Sequence, residues 1–153
     1  VCRRYLKNEA DAEERMLDGF YKFFTRIRDF HYQGEAALFS WIKKIMINEC
    51  LMFLRKKNPF VITAETDELT IPVPEEVLGK LEAEEIFKLI IRLPLGYRTV
   101  FNLNVVEGMT HKEIAALLKI SEGSSKSQLF KAKALLQKMI YSENEYYESR
   151  KIN

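Results

Sequence analysis

Lys126, Lys131, Lys133 and Lys138 recur along one short stretch, KSQLFKAKALLQKM, with Ser127, Gln128 and Phe130 set among them. Ammonium groups along one side of a helix neutralise phosphates. Hydroxyl, amide and aromatic side chains between them reach base edges or thymine methyl groups. The chemistry such a set supports is non-covalent recognition of DNA. Nothing comparable points to covalent chemistry. Cys2 and Cys50 are far apart in the chain and have no metal-like neighbours, and His31 and His111 are isolated. There is no Gly-rich phosphate loop and no nucleophile with a plausible base. The expectation is a protein that is not an enzyme, with no metal, no cofactor and no small-molecule substrate. The two thiols are expected to be free, buried or inert, rather than joined.

The basic stretch needs a scaffold, and the preceding residues supply one. Thr110 with Glu113 has the spacing of a capping box, opening a short helix over HKEIAALL. KISEGSS follows, and then the basic helix. Helix, short turn, helix is the pattern of a helix-turn-helix unit. Ala115 falls where the two helices cross closely, Ile120 plugs the turn, and Leu129, Ala132, Leu135 and Leu136 form the inner face. Lys126, Lys131 and Lys133 then point outward. A plain helical hairpin with a solvated lysine face is the alternative, and the pattern favours DNA binding over it. Upstream, EAEEIFKLIIRL reads as a helix bounded by Pro94, and LGYRTVFNLNVVE reads as another that stops at Gly108.

The first half of the chain is also helical. Ala12, Met16, Phe20, Phe23 and Ile27 recur at helical spacing and predict one buried stripe. Gly34 marks a turn. Beyond it, Leu38, Phe39, Trp41, Ile42, Ile45, Met46, Cys50, Phe53 and Leu54 cover a wide arc, which predicts a mostly buried helix ending in Arg55-Lys56-Lys57. The chain opens at Val1 inside what reads as a helix, so further residues are expected to precede it. Between the halves the pattern fails. Pro59, Pro72 and Pro74 punctuate a segment whose acids Glu65, Asp67, Glu68, Glu75 and Glu76 are opposed only by Lys80. The net charge is only +2, but its sign alternates along the chain, as in two basic modules joined by an acidic linker. The expected fold class is therefore all-α, with two small helical domains at 1–58 and 82–140, an extended acidic linker at 59–81 and a frayed polar tail at 141–153. No long uncharged apolar run and no secretory signal are visible, so no direct membrane insertion is expected, and the expected location is cytoplasmic.

Three blocks, DAEERMLDGF, QGEAALFSWIKKIMINECLMFLRK and LPLGYRTVFNLNVVEGMTHKEIAALLKISEGSSKSQLFKAKALL, occur in this order and spacing over nearly the whole chain. Together they resemble the extracytoplasmic-function (ECF) group of bacterial RNA polymerase sigma factors. The resemblance implies an alternative sigma factor whose partners are core RNA polymerase, promoter DNA and an anti-sigma factor. The first domain would melt and read the minus-ten element and grip the polymerase clamp. The second would read the minus-thirty-five element and touch the polymerase flap, with the linker running through the RNA exit path.

Carried onto this chain, the family's clamp-facing block falls on Ala12 to Phe20, where Glu14, Leu17 and Asp18 would meet the polymerase. The usual Gln is Leu17 here, so that contact would be apolar or lost. Tyr32, just before Gln33-Gly34-Glu35, would stack on a base flipped from the non-template strand. Asn48 matches the family's Asn and would read a base edge. Lys43 and Lys44, with Arg55, Lys56 and Lys57, would contact phosphates, and Trp41 would pack in the core. In the second domain Lys126, Ser127, Gln128, Phe130, Lys131 and Lys133 would face the minus-thirty-five element. Two departures stand out. Ser125 replaces the usual Val at the start of the recognition helix, and Lys119 replaces the Gly common in the turn.

Two other readings use the same residues. A stand-alone helix-turn-helix regulator would explain EGMTHKEIAALLKIS, but the first half lacks the βαβ pattern of a receiver domain. A pure interaction protein that sequesters polymerase without reading DNA would leave the lysine face unexplained.

Overall fold

The computed structural model describes residues 1–57 and 83–151, and among these residues every regular element is helical. The acidic linker expected at 59–81 lies outside them. The chain divides into two compact units, Val1–Phe60 and Val61–Asn153.

The first unit contains α1 (Cys2–Tyr5), α2 (Glu9–Arg26) and α3 (Glu35–Lys57), with a 3-10 turn at Ile27–Asp29. Asn8 caps α2 by accepting the Asp11 N–H, and Glu9 and Asp11 suit the positive end of the helix dipole. Gly34 reaches φ +102° just before α3, a backbone angle that side chains other than hydrogen disfavour. Helices α2 and α3 pack against each other, and α1 lies on both. Tyr5, Cys50 and Leu51 are fully enclosed there.

The buried side of α2 differs from the expected stripe. Ala12 and Phe23 are buried, but Met16, Phe20 and Ile27 are exposed. The inner line runs instead through Gly19, where a β-carbon would overlap Met46 Sδ, so the two helices approach closely at that point. Arg15 and Lys22 complete this side. Their stems lie along α3 while their cationic ends find partners: Lys22 Nζ meets Glu49 Oε1 at 2.7 Å, and the Arg15 guanidinium stands 5.1 Å from the Phe53 ring centre. The apolar pattern of α2 therefore has two sides, one for α3 and one for solvent. Helix α3 is also less buried than its composition predicts. Met46, Ile47, Cys50, Leu51 and Leu54 are enclosed in its second half, while Phe39 and Met52 are exposed.

The second unit contains α4 (Ala83–Arg92), α5 (Leu95–Phe101), a π-helical turn at Asn102–Val106, α6 (His111–Leu118) and α7 (Glu122–Lys151). Leu89, Leu93, Tyr97, Ala132, Leu136 and Ile140 form its core. Pro94 starts α5 as expected, with φ −52°. Arg98 is buried and donates to the carbonyls of Ile91 (3.0 Å) and Leu93 (3.1 Å), closing the exposed end of α4. Burial pushes its guanidinium down to about 10, still charged at neutral pH. The π turn widens the backbone, so that the Glu107 N–H reaches the Asn102 carbonyl (3.0 Å). Gly108, at φ +72°, then ends the run as expected. The tail expected to fray beyond residue 140 continues α7 as far as Lys151.

Candidate nucleic-acid interface

The basic helix is held by its turn. Thr110 Oγ1 accepts the Glu113 N–H (3.3 Å), while Glu113 Oε2 accepts the Thr110 N–H (2.8 Å) and hydroxyl (2.7 Å). These bonds stabilise the Glu113 carboxylate and hold its pKa below the usual range. Helix α6 ends at Lys119, whose φ of 60° and ψ of 44° are left-handed. The Ile120 N–H then reaches the Ala115 carbonyl (3.1 Å), and the Ser124 N–H reaches Ser121 Oγ (2.9 Å), capping α7. Replacing Thr110 with Ala is expected to destabilise the second domain by about 1 kcal/mol. Urea denaturation followed by circular dichroism would measure it, and no shift in midpoint would show that the cap is dispensable. The Glu113 part of this cap is present above its unfolded pKa and fades as pH falls through its lowered folded value.

Seen along α7, the expected DNA-facing residues separate. Lys126, Phe130 and Lys133 are exposed at i, i+4 and i+7, so they share one face, with half-buried Ser127 and Lys131 beside it. Phe130 keeps 65% of its surface exposed, unusual for an aromatic ring without an external partner. Gln128 is the correction. It is 2% exposed, and its amide Nε2 lies 3.4 Å from Ser124 Oγ one turn earlier on α7, so it is turned inward and is not on the exposed face that Lys126, Phe130 and Lys133 share. Ser125, which stands in place of the usual Val, is fully buried, and its Oγ lies 2.9 Å from His111 Nδ1, a polar link between the starts of α6 and α7.

In the first unit, Tyr32 projects from the loop before α3 and is 67% exposed. The loop is anchored by Phe30, which stacks on Trp41 with ring centres 4.6 Å apart and planes 12° apart. Phe23 packs on the same indole at 5.4 Å, so Trp41 works in packing, as expected. Lys44 is exposed, and Lys43 and Asn48 are half-buried along α3. Lys44 and Asn48 lie one turn apart on one side. Lys57 is turned elsewhere: its Nζ pairs with Asp11 Oδ2 at 3.0 Å. Sequence reasoning counted Phe39 as core, yet it stands exposed four residues before Lys43, and on a helix so rich in apolar residues no spacing signal singles it out.

On α2, Glu14, Leu17, Asp18 and Tyr21 follow one another on the solvent side, with Phe24 one turn further. Leu17 is 64% exposed. Arg15 binds both acids of this row: Glu14, and Asp18 at 2.7 Å. The Glu14 bond, followed by the Asp18 and Glu14 charges, stabilises the protonated guanidinium and raises its pKa. Among the described residues no cluster of His, Cys, Asp and Glu could hold a metal ion, and no helix is long and apolar enough to cross a membrane. The arrangement can bind anionic polymers and an apolar partner, each through a separate face.

The two units correspond to two known modules. Residues 1–60 match the family described as Sigma-70 region 2, and residues 83–136 match Sigma-70, region 4. The ECF RNA polymerase sigma factor SigW of Bacillus subtilis is 28% identical, with 92% of this chain covered and 81% of that protein. The ECF RNA polymerase sigma-E factor of Haemophilus influenzae is 24% identical, with 92% and 79% covered. Among solved structures, the sigma factor RpoE in complex with the anti-sigma factor NepR from Bartonella quintana shares the fold, with a TM-score of 0.56, 20% identity, and 90% and 86% of the two chains covered. With region 2 followed by region 4 on two helical units of one short chain, and relatives of one kind matched along nearly all of it, the chain belongs to the extracytoplasmic-function group of RNA polymerase sigma factors.

Proposed function

We propose that the chain, as an alternative sigma factor, binds core RNA polymerase and directs it to promoters through two separate DNA-reading surfaces. The observation that carries this reading is the pairing of region 2 and region 4 in one chain, each presenting an exposed face with no core to fill. In the first domain, residues 1–58, Tyr32 stacks on a flipped base of the minus-ten element, Asn48 reads a base edge, and Lys43 and Lys44 contact phosphates. Glu14, Leu17 and Asp18 face the polymerase clamp. In the second domain, residues 82–140, Lys126, Ser127, Phe130, Lys131 and Lys133 lie against the minus-thirty-five element. An apolar cleft of about 310 Å³, lined by Leu89, Phe101, Val105, Leu136 and Ile140, suits the polymerase flap. The linker at 59–81 follows the RNA exit path between them. The chain performs no catalysis itself, because selecting and opening DNA draws on binding energy alone. It works in the cytoplasm, and an anti-sigma factor holds it inactive, a role supported by the complex of the related RpoE.

The decisive experiment is co-purification with bacterial core polymerase followed by run-off transcription. A stable complex that starts at defined sites is the expected result. DNA binding without a polymerase complex would overturn the reading in favour of a stand-alone regulator. Within the complex, Lys126→Ala is expected to weaken promoter binding roughly tenfold at 0.1 M salt and to reduce the slope of log K against log salt by about one. An unchanged slope would remove Lys126 from the phosphate contacts.

A further inference from the structure

The first two turns of α7 carry Lys126, Ser127 and Phe130, and before Leu129 they contain no apolar side chain to pack inward. Ser125 and Gln128 are buried on the inner side instead, so polar residues dock the start of this helix. Backbone bonds fix where it begins. The Ile120 N–H reaches the Ala115 carbonyl (3.1 Å), the Ser124 N–H reaches Ser121 Oγ (2.9 Å), and the Ser125 N–H reaches the Ser121 carbonyl (3.1 Å). These bonds lie within the turn and along α7, and none of them ties the side of α7 to the side of α6. The hydrogen bond between Ser125 Oγ and His111 Nδ1 does so, at 2.9 Å and across 14 positions of sequence. Ser125 is fully buried, and His111 is half-buried at the first position of α6.

We propose that His111 and Ser125 are positioning residues for promoter reading: their hydrogen bond fixes the roll of α7 on α6 and so selects which bases of the minus-thirty-five element Ser127 and Phe130 meet. The inference rests on the proposed contact of α7 with that element. Apolar packing is non-directional and lets a helix roll while its side chains re-settle, whereas a hydrogen bond holds over a narrow range of distance and angle. Side-chain tips lie about 5–6 Å from a helix axis, so a roll of about 20° moves them by about 2 Å. That exceeds the range over which a contact to a base edge survives, but a lysine on its long stem still reaches a phosphate. Base contacts are then lost or exchanged, while the salt-dependent attraction of Lys126 and Lys133 persists. The bond also resists the roll. Ser125 has no exposed surface, so breaking the bond takes a buried hydroxyl off its partner with no solvent at hand to replace it.

The test compares two variants of nearly equal shape. Ser125→Thr and Ser125→Val add similar bulk at one place, and only Thr keeps the hydroxyl. The wild type and each variant, as the full chain bound to bacterial core polymerase, select from a pool of random-sequence DNA duplexes, and the bound duplexes are sequenced. Ser125→Thr is expected to return the wild-type bases at the upstream element. Ser125→Val is expected to return different bases there and to bind the wild-type sequence roughly tenfold more weakly, with the salt slope unchanged. A lowered melting temperature with the same bases selected would reduce the pair to a structural role and overturn the proposal. A Thr variant that changes the bases as Val does would overturn it too, because bulk rather than the bond would then be the cause. If Ser125→Val does not fold, His111→Phe is expected to change the selected bases in the same way, and recovery of the wild-type bases from it overturns the proposal. A wild-type complex that selects no sequence brings down the promoter reading and this inference with it. A wild-type sequence that Ser125→Val or His111→Phe leaves untouched brings down this inference alone.

Discussion

Leu17→Asp is expected to weaken binding to core RNA polymerase by roughly a hundredfold, with the fold and the free protein's DNA affinity unchanged. Leu17 is 64% exposed, so a charge there meets water in the free protein and disturbs no core. In the proposed polymerase contact the same position would be desolvated between Glu14 and Asp18. A third carboxylate would then add like-charge repulsion to the loss of an apolar contact. The neighbouring Tyr21 and Phe24 are exposed as well, so the site is an apolar row rather than one side chain. Competition for labelled core polymerase would measure the effect. An affinity within threefold of the wild type would move the clamp contact off this side of α2.

The second large effect concerns the buried carboxylate of Glu49, 7% exposed and paired with Lys22 at 2.7 Å. Lys22→Met keeps the packed stem and removes the charge, leaving Glu49 enclosed with only the more distant Arg15 to balance it. The first domain is expected to lose about 2 kcal/mol, or on the order of 10 °C in melting temperature. That figure is set toward the low end for a broken buried pair, because Lys22 Nζ retains partial contact with water. Lys22→Met combined with Glu49→Met should recover most of the loss, since apolar replacements of a whole buried pair are well tolerated. Thermal melts of the two single variants and the double variant give the coupling directly. An additive cycle would show that the pair contributes nothing.

The second domain was the more legible half. Thr110 and Glu113 announce their cap by spacing alone, Gly108 takes the left-handed angle expected of a helix stop, and the inner residues Leu129, Ala132 and Leu136 are buried. Lys119 takes the left-handed angle that a Gly would favour there, a local strain of roughly 1 kcal/mol. Gln128 was misjudged because amide side chains usually face water, and only its burial in the folded domain shows otherwise. The first domain misled more. Periodicity finds apolar residues but cannot say how deeply each is covered, so Met16, Phe20 and Ile27 were assigned to the core although they remain exposed at its edge. Glycine, arginine and lysine make up much of the true inner line, and none of them registers as hydrophobic.

Arg15 carries a consequence for timing. Because its one positive charge is shared between Glu14 and Asp18, it offsets only part of their negative charge and weakens the field that this side of α2, the proposed clamp contact, projects into solvent. Encounters there gain less from long-range steering, so capture by polymerase is expected near the ordinary rate of about 10⁵–10⁶ M⁻¹s⁻¹. The bare cations Lys126 and Lys133 do draw in a polyanion, and contacts of that kind form and break quickly. The two ends of the protein therefore run on different clocks. A slower capture by the enzyme stands beside quick, reversible encounters with DNA.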